Sequence, residues 1–562
     1  MELHDVFARS LAHVKKSLVA CFVFSLIANL LNLVPIFFML NVYDKAVGSS
    51  SMLTLWSLSI FVAVMFFILF VMEALRSRLL VGISAEFDRI AAPELFHRTF
   101  LNAVNVGGLR ASVQPLQDLL SLRQFITGNG IFAVFDAPWL PVYLIVLFAF
   151  NPLLGFIGVA AALVLVVLGL LNQKQAASSM EAANKKNTDN LARTHRSLKN
   201  AEVVAAMGML PYLQKSWRNQ QDEVLIYQTK ASSVSGVFTA ATKTIRLATQ
   251  SVAIAAGAYL VIRQEISPGM LIGGSLLVTR ALQPVEVAVG SWKGFIDSKL
   301  NYERITALLN SIDLPAPKMA LPEIKGKLEV ANAVLVPPGN AKPIITNASF
   351  TLEPGEVACV VGPSGSGKST LVRGLLGLWP LASGHIRLDG AEAHLYPREN
   401  LGPQIGYLPQ DIELLEGSIS LNISRFGEID SGAVVAAAKA AGIHELILTM
   451  SNGYDTEVDR PGGMLSPGQR QRIGLARAIY RMPKLVILDE PNSNLDDDGE
   501  RALERVLVSL KANGSTVILV THRTSILPYT DKMVLLHQGR VVKVGPTREV
   551  AREIAKHQGL TK

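Results

Sequence analysis

Nine consecutive residues, Gly362, Pro363, Ser364, Gly365, Ser366, Gly367, Lys368, Ser369 and Thr370, carry the densest chemical signal in the sequence. A strand-like run, Glu356 to Val361, leads into them and a helical run, Thr370 to Leu378, leads out. Glycines at this spacing let backbone N–H groups wrap phosphate oxygens, and a helix N-terminus favours negative charge. Lys368 is then placed to reach the terminal phosphates of a nucleotide, and Ser369 to ligate magnesium. Four apolar residues, Leu485 to Leu488, deliver Asp489 and Glu490 to the end of another strand, where α/β sheets bind ligands. Asp489 is the candidate holder of the magnesium and its water shell. Glu490 is the candidate base that polarises a water aligned with the γ-phosphate. Such a pair can also merely cap a helix. A third strand, Ser515 to Thr521, ends in His522, placed to hydrogen-bond the γ-phosphate, although a histidine taken alone reads more naturally as structural.

These elements predict an α/β P-loop ATPase domain over 326–562, preceded by a linker at 311–325 that contains Pro315, Pro317 and Pro322. The remaining 1–310 is of another kind. A chain of 562 residues exceeds a single domain, and hydrophobic residues at 50%, charged residues at 17% and a mean hydropathy of +0.34 exclude disorder and an ordinary cytosolic enzyme. Cys21 and Cys359 are too few for a disulfide framework or a four-cysteine zinc site. Of the net charge of +8, +7 lies in residues 1–324, where Lys and Arg flank apolar runs. That pattern speaks for membrane topology and against a nucleic-acid partner.

Residues 17–43 and 46–72 are uncharged, as are 137–173, which Asn151-Pro152 divides in two. With weaker runs at about 235–262 and 270–292, interrupted by Lys243, Arg246, Arg280 and Glu286, the reading is a six-span α-helical transmembrane domain. Alternate connections carry 18 Lys/Arg on one side and two, Lys45 and Arg263, on the other, so the N-terminus and both long loops are expected in the cytoplasm. The loops read as helices continuing out of the bilayer, with tips at Gly107-Gly108 and the stretch after it, and at Gly208 to Trp217. Arg280, deep in the sixth span, should face water or a partner rather than lipid. Asp136, two residues before Pro138, either caps a helix segment or lines a pathway.

Leu465-Ser466-Pro467-Gly468-Gln469, followed by a helical run and, 23 residues after Ser466, by Asp489, completes a set that resembles the ATPase domain of an ABC transporter. The resemblance spans 325–562. It implies that Gln410, in 'GYLPQD', is a catalytic and magnesium-binding glutamine. It further implies that Asp496 belongs to a nucleotide-contacting loop, and that Ser466, Gly468 and Gln469 bind the γ-phosphate held by Lys368 of a second copy. ATP and Mg2+ are then the cofactors and a homodimer the working unit. Three departures stand out: Pro467 replaces a glycine, Asp459-Arg460 stands where related exporters have Gly-Glu, and no aromatic residue lies between Lys325 and Ser349 to stack on adenine. Val336 and Pro337 are the apolar substitutes nearest to hand.

Six spans before one ATPase domain is the ABC exporter arrangement, and 'NVYDKAV' (41–47) and 'FDAPWLPVYL' (135–144) are similar to stretches of type I secretion transporters. That family implies a bacterial inner-membrane protein that moves an unfolded polypeptide with a C-terminal signal outward in one step, with a periplasmic adaptor and an outer-membrane channel. The early start of the first span places it in the branch without an N-terminal peptidase-like domain. The competing readings are a half-size lipid flippase or multidrug exporter, and a nucleotide-gated channel, against which the retention of Glu490 and His522 argues.

Overall fold

A computed structural model describes residues 5–106, 112–312, 322–338, 340, 342–458 and 465–557. Of the described residues, 5–100 and 112–312 form one compact unit, and 101–106 group with 322–557 in the other. Most of the expected linker, and Gly107-Gly108 and Asp459-Arg460, lie outside the described residues.

The first unit is helical: α1 Asp5–Leu31, α2 Val34–Asn41, α3 Met52–Asn105, α4 Gln114–Thr127, α5 Asn129–Asp136, α6 Leu140–Phe150, α7 Pro152–Lys199, α8 Ala201–Ala206, α9 Leu210–Ile262, α10 Pro268–Gly290 and α11 Trp292–Ser311. At 1.5 Å per residue α3 and α9 each run roughly 80 Å and α7 roughly 70 Å, more than twice the bilayer core. Asn151 ends α6 and caps α7, its side chain accepting from the Leu153 amide at 2.9 Å with Pro152 in the first helical position.

Among the described residues, five helical segments are long and apolar enough to cross a membrane, and α10 is not one of them. It is still 23 residues long, enough at roughly 34 Å to span. Its low hydropathy has a packing reason. Gly273 and Gly274 are buried where a Cβ would come within 3.4 Å of Ile36 and 3.0 Å of Leu154, so small residues let neighbouring backbones close in. Two of the four charges that weaken the fifth and sixth spans also cancel, because Arg246 of α9 pairs with Glu286 of α10 at 2.6 Å. At the tip around Gly208 (φ +63°) α8 gives way to α9, whose first turns are Leu210 to Trp217 with Pro211 at their start.

In the second unit, β1 Leu328–Leu335, β2 Ile345–Leu352, β4 Leu381–Leu388 and β5 Ala391–Glu392 form an antiparallel sheet in the order β2-β1-β4-β5. A six-stranded sheet takes β3 Val357–Val361, β6 Ile405–Leu408, β9 Leu485–Asp489, β10 Thr516–Val520, β11 Lys532–His537 and β12 Arg540–Pro546 in the order β12-β11-β3-β10-β9-β6. β7 Gly417–Ser418 and β8 Glu457–Val458 make a small pair. β11, β3, β10, β9 and β6 run parallel, which explains their continuous apolar sequences: both faces are covered. Ile518 and Val520 enter one core, and Val517 and Leu519 enter the other, as the two-residue period requires.

Candidate active site

The parallel strands share one direction, so the residues just past their C-terminal ends gather at one edge. β3 delivers the phosphate-loop residues, β9 delivers Asp489 and Glu490, β10 delivers His522, and β6 delivers Gln410.

The loop is fixed by backbone constraints. A Cβ on Gly362 would lie 2.1 Å from the Leu536 carbonyl oxygen, so no side chain fits there. Gly365 and Gly367 have φ of +77° and +101°, the left-handed region glycine enters without strain. Between them Ser366 is buried, and its Oγ has no hydrogen-bond partner. Helix α12, Lys368–Leu375, then begins directly at the loop. Lys368 is 7% exposed and donates to the Gly362 and Pro363 carbonyls at 2.9 and 3.0 Å, so its ammonium curls back over the loop. Burial holds that ammonium below its ordinary pKa, against the pull of Glu490 and Asp489.

Asp489 is 3% exposed. Burial raises its pKa above the ordinary carboxylate value, and a hydrogen bond from Ser369 opposes the rise. A hydroxyl and a buried carboxylate side by side form the hard oxygen set that magnesium takes from a protein when phosphates and water complete its shell, so these residues fit the ion. Among the described residues, no group of three His, Cys, Asp or Glu could hold a metal by itself.

Glu490 is held in the left-handed region with φ +52°, a conformation costing a non-glycine residue roughly 1 kcal/mol or more. Its amide donates to the Val520 carbonyl at 2.8 Å, which anchors it to β10. Gln410 Nε2 donates to Glu490 Oε2 at 3.1 Å, and His522 Nε2 lies 3.5 Å from Oε1. The histidine, which alone would be read as structural, is half exposed and aimed at the carboxylate. Gln471, unremarked in the sequence, tightens the corner: its amide nitrogen donates to the Pro491 carbonyl and its oxygen accepts from the Asn494 amide.

Ser466 and its neighbours form a separate structure. Ser466 caps the helix Pro467–Ile479, its Oγ accepting from the Gln469 amide at 3.2 Å, while Gln469 Oε1 accepts from the Ser466 amide at 2.9 Å. Pro467 occupies the first helical position, where its missing N–H costs nothing, so the departure from glycine is absorbed by a complete capping box. A Cβ on Gly468 would meet the Asn494 carbonyl oxygen at 2.8 Å. Asp496 caps the helix Asp497–Ala512 through the Gly499 amide and pairs with Arg472, and both contacts hold its carboxyl below the usual range. Ser466 remains exposed.

For the adenine, the sequence pointed to Val336 and Pro337. Pro337 is buried and Val336 half-buried. Ile344 is better presented: it is 37% exposed, and its Cγ2 lies 3.1 Å from where a Cβ on Gly367 would stand. Its signal was an isoleucine next to the start of a strand, indistinguishable in sequence from core.

Known proteins match this arrangement from end to end. Residues 345–493 match the ABC transporter family model and residues 18–285 that of the ABC transporter transmembrane region. The chain is 38% identical over 552 residues, 98% of its length and 95% of the relative's, to the type I secretion system ATP-binding protein PrsD of Rhizobium meliloti (strain 1021). It is 29% identical to the cyclolysin secretion/processing ATP-binding protein CyaB of Bordetella pertussis, over 91% of the chain and 72% of the relative. Its fold matches the solved structure of a bacterial Atm1-family ABC exporter with ATP bound, with a TM-score of 0.85 across 98% of each chain at 21% identity. A membrane unit and a phosphate-loop unit in one chain, shared along nearly their whole length with such a relative, identify a multi-pass membrane protein that couples ATP hydrolysis to transport: the chain belongs to the type I secretion family of ABC transporters.

Proposed function

We propose that this protein exports an unfolded polypeptide bearing a C-terminal signal across the bacterial inner membrane, working as a homodimer with a periplasmic adaptor and an outer-membrane channel protein. The observation that carries this reading is the 38% identity to a type I secretion ATP-binding protein along almost the entire chain. The N-terminus and the ATPase unit lie in the cytoplasm, as the excess of Lys and Arg on one set of connections supports.

In this reading the amides of Gly362 to Thr370 cradle the triphosphate and Lys368 turns from the loop carbonyls to the terminal phosphates. Ser369, Asp489 and the amide oxygen of Gln410 hold magnesium, which when bound neutralises charge on the phosphate oxygens. Glu490 accepts a proton from water as the water oxygen bonds to the γ-phosphorus and the bond to the bridging oxygen of the leaving diphosphate breaks. Gln410 and His522, which flank both Glu490 oxygens, fix the carboxylate for that transfer. Ser466, Gly468 and Gln469 present a capped helix N-terminus to the nucleotide of the partner copy, and Asp496 shapes the loop beside it.

Co-purification from detergent-solubilised membranes tests the reading. The transporter, with the proteins encoded beside it, should bring down an adaptor and a secreted polypeptide. Stimulation of its ATPase by phospholipids or lipophilic drugs, with no polypeptide retained, would favour a flippase or multidrug exporter instead.

A further inference from the structure

The third span is interrupted. α5 stops at Asp136, a 3-10 turn covers Ala137–Trp139, and α6 starts at Leu140. Asp136 caps nothing with its side chain. Instead its Oδ1 accepts from Asn29 at 2.8 Å and from Arg76 at 3.0 Å, joining three spans. Arg76, only 5% exposed, also pairs with Glu73 at 2.8 Å and covers the Phe132 ring at 4.4 Å. Tyr143 closes the cluster by donating to Asn29 Oδ1 at 2.9 Å.

This cluster lines a cavity of about 370 Å³ that α10 lines as well, through Arg280 and Gln283. Arg280 differs from Arg76 in having no carboxylate partner among the described residues. It donates to the neutral Gln283 Oε1 at 3.0 Å, a bond that engages one of its five N–H donors. The lining thus holds two guanidinium groups and two carboxylates, with both carboxylates committed to Arg76. A monoanion beside Arg280 would be met by a planar fork that suits two parallel hydrogen bonds. A dianionic phosphate would bring excess negative charge towards Glu73 and Asp136. An ionisable side chain inside a span without a partner is costly and marks binding or passage.

We propose that this cavity binds a carboxylate of the exported polypeptide, with Arg280 as the recognising residue and the Arg76–Asp136 cluster as the wall that leaves Arg280 free. The inference rests on the polypeptide-export reading and adds a ligand chemistry to it. Asp or Glu side chains and the chain terminus present the same group, and the test separates them.

Full-length protein in nanodiscs of phosphatidylethanolamine and phosphatidylglycerol is titrated with one fluorescent Gly/Ser decapeptide in three forms: free C-terminus, amidated C-terminus, and amidated with one internal Glu. A carboxylate-bearing form should bind about ten- to a hundredfold more tightly than the neutral one, the scale of a charge-assisted hydrogen bond. Whichever form wins names the source. Arg280→Gln should erase the difference and Arg280→Lys keep part of it, with unfolding midpoints confirming that each variant is folded. If Arg280→Gln fails to fold, the Arg280→Lys series supplies the reading. Equal binding of all three forms, untouched by either variant, overturns the site while leaving polypeptide export standing. Binding of no peptide, with lipid-stimulated ATPase, overturns the export reading and the site together, and binding of no peptide without such stimulation overturns the site.

Discussion

Gln410, two residues past the end of β6, donates a 3.1 Å hydrogen bond to Glu490, one residue past the end of β9. Adjacent parallel strands thus pass their side chains to a common point, and Glu490 reaches it only by adopting a strained backbone.

Glu490→Gln keeps size and hydrogen bonding and removes the basic oxygen. ATP should still bind, while phosphate release falls about a hundredfold or more. Glu490→Gly should also abolish turnover, yet raise the thermal midpoint of the nucleotide-free protein, since glycine relieves a left-handed conformation worth about 1 kcal/mol. Wild-type turnover in Glu490→Gln would remove Glu490 from the role of base.

The proposed sharing of each ATP site between two copies makes a complementation prediction. If sites are shared in that way, Lys368→Ala and Ser466→Arg homodimers each lack an intact site, whereas a mixed dimer has one intact site and one doubly damaged. Co-expression should restore part of the ATPase. Full activity from a proven monomer would refute the arrangement.

The buried carboxylate of Asp489 sets a pH dependence. Its folded-state pKa is raised, so the folded chain holds more protons than the unfolded one between the ordinary carboxylate range and the raised value. The contribution of this group to stability therefore falls as pH rises through that interval and stays reduced above it. Asp489→Asn should raise the midpoint of the nucleotide-free protein at pH 7 while weakening magnesium-dependent nucleotide binding. A lowered midpoint at pH 7 would show that the Ser369 bond outweighs burial.

If the adenine lies against Ile344, it meets an aliphatic surface where stacking on an aromatic would contribute ~1 to 3 kcal/mol. GTP should then compete within about tenfold of ATP, and Ile344→Tyr should sharpen the preference. Strong selectivity for ATP that survives Ile344→Ala, measured by nucleotide titration of the full chain, would place the adenine elsewhere.

Arg76 and Asp136 should be coupled. Removing Asp136 alone leaves the buried Arg76 with Glu73 only, and removing Arg76 alone leaves the half-buried Asp136 with Asn29, so each single change should destabilise, whereas Arg76→Met with Asp136→Leu should cost clearly less than the sum. Additive shifts in a thermal double-mutant cycle would mean that Glu73 and Asn29 hold the cluster without this pair.

What the sequence revealed follows how local each feature is. The phosphate loop was legible because its geometry is dictated by nearest neighbours, with Gly365 and Gly367 standing where positive φ is required. The core strands were legible because burial on both faces leaves an unbroken apolar run. Arg76 was not: counted with the polar flank of a loop, it is buried because its partner lies 60 residues away. Arg246 and Glu286 looked like defects in two spans for the same reason, since each is explained only by the other. Pro467, by contrast, is explained by its own sequence neighbours, a serine N-cap followed by a first-turn proline.

Asp44, within 'NVYDKAV', accepts from Ser267 Oγ and from the Gly269 amide at 2.8 Å, while a Cβ on Gly269 would lie 2.5 Å from the Leu40 carbonyl oxygen. The turn after the first span is thereby riveted to the start of the sixth. Two spans pinned at one end can separate only by swinging about that pin, so any motion between them is largest at their far ends, and a loosened rivet would let that motion be lost in the turn.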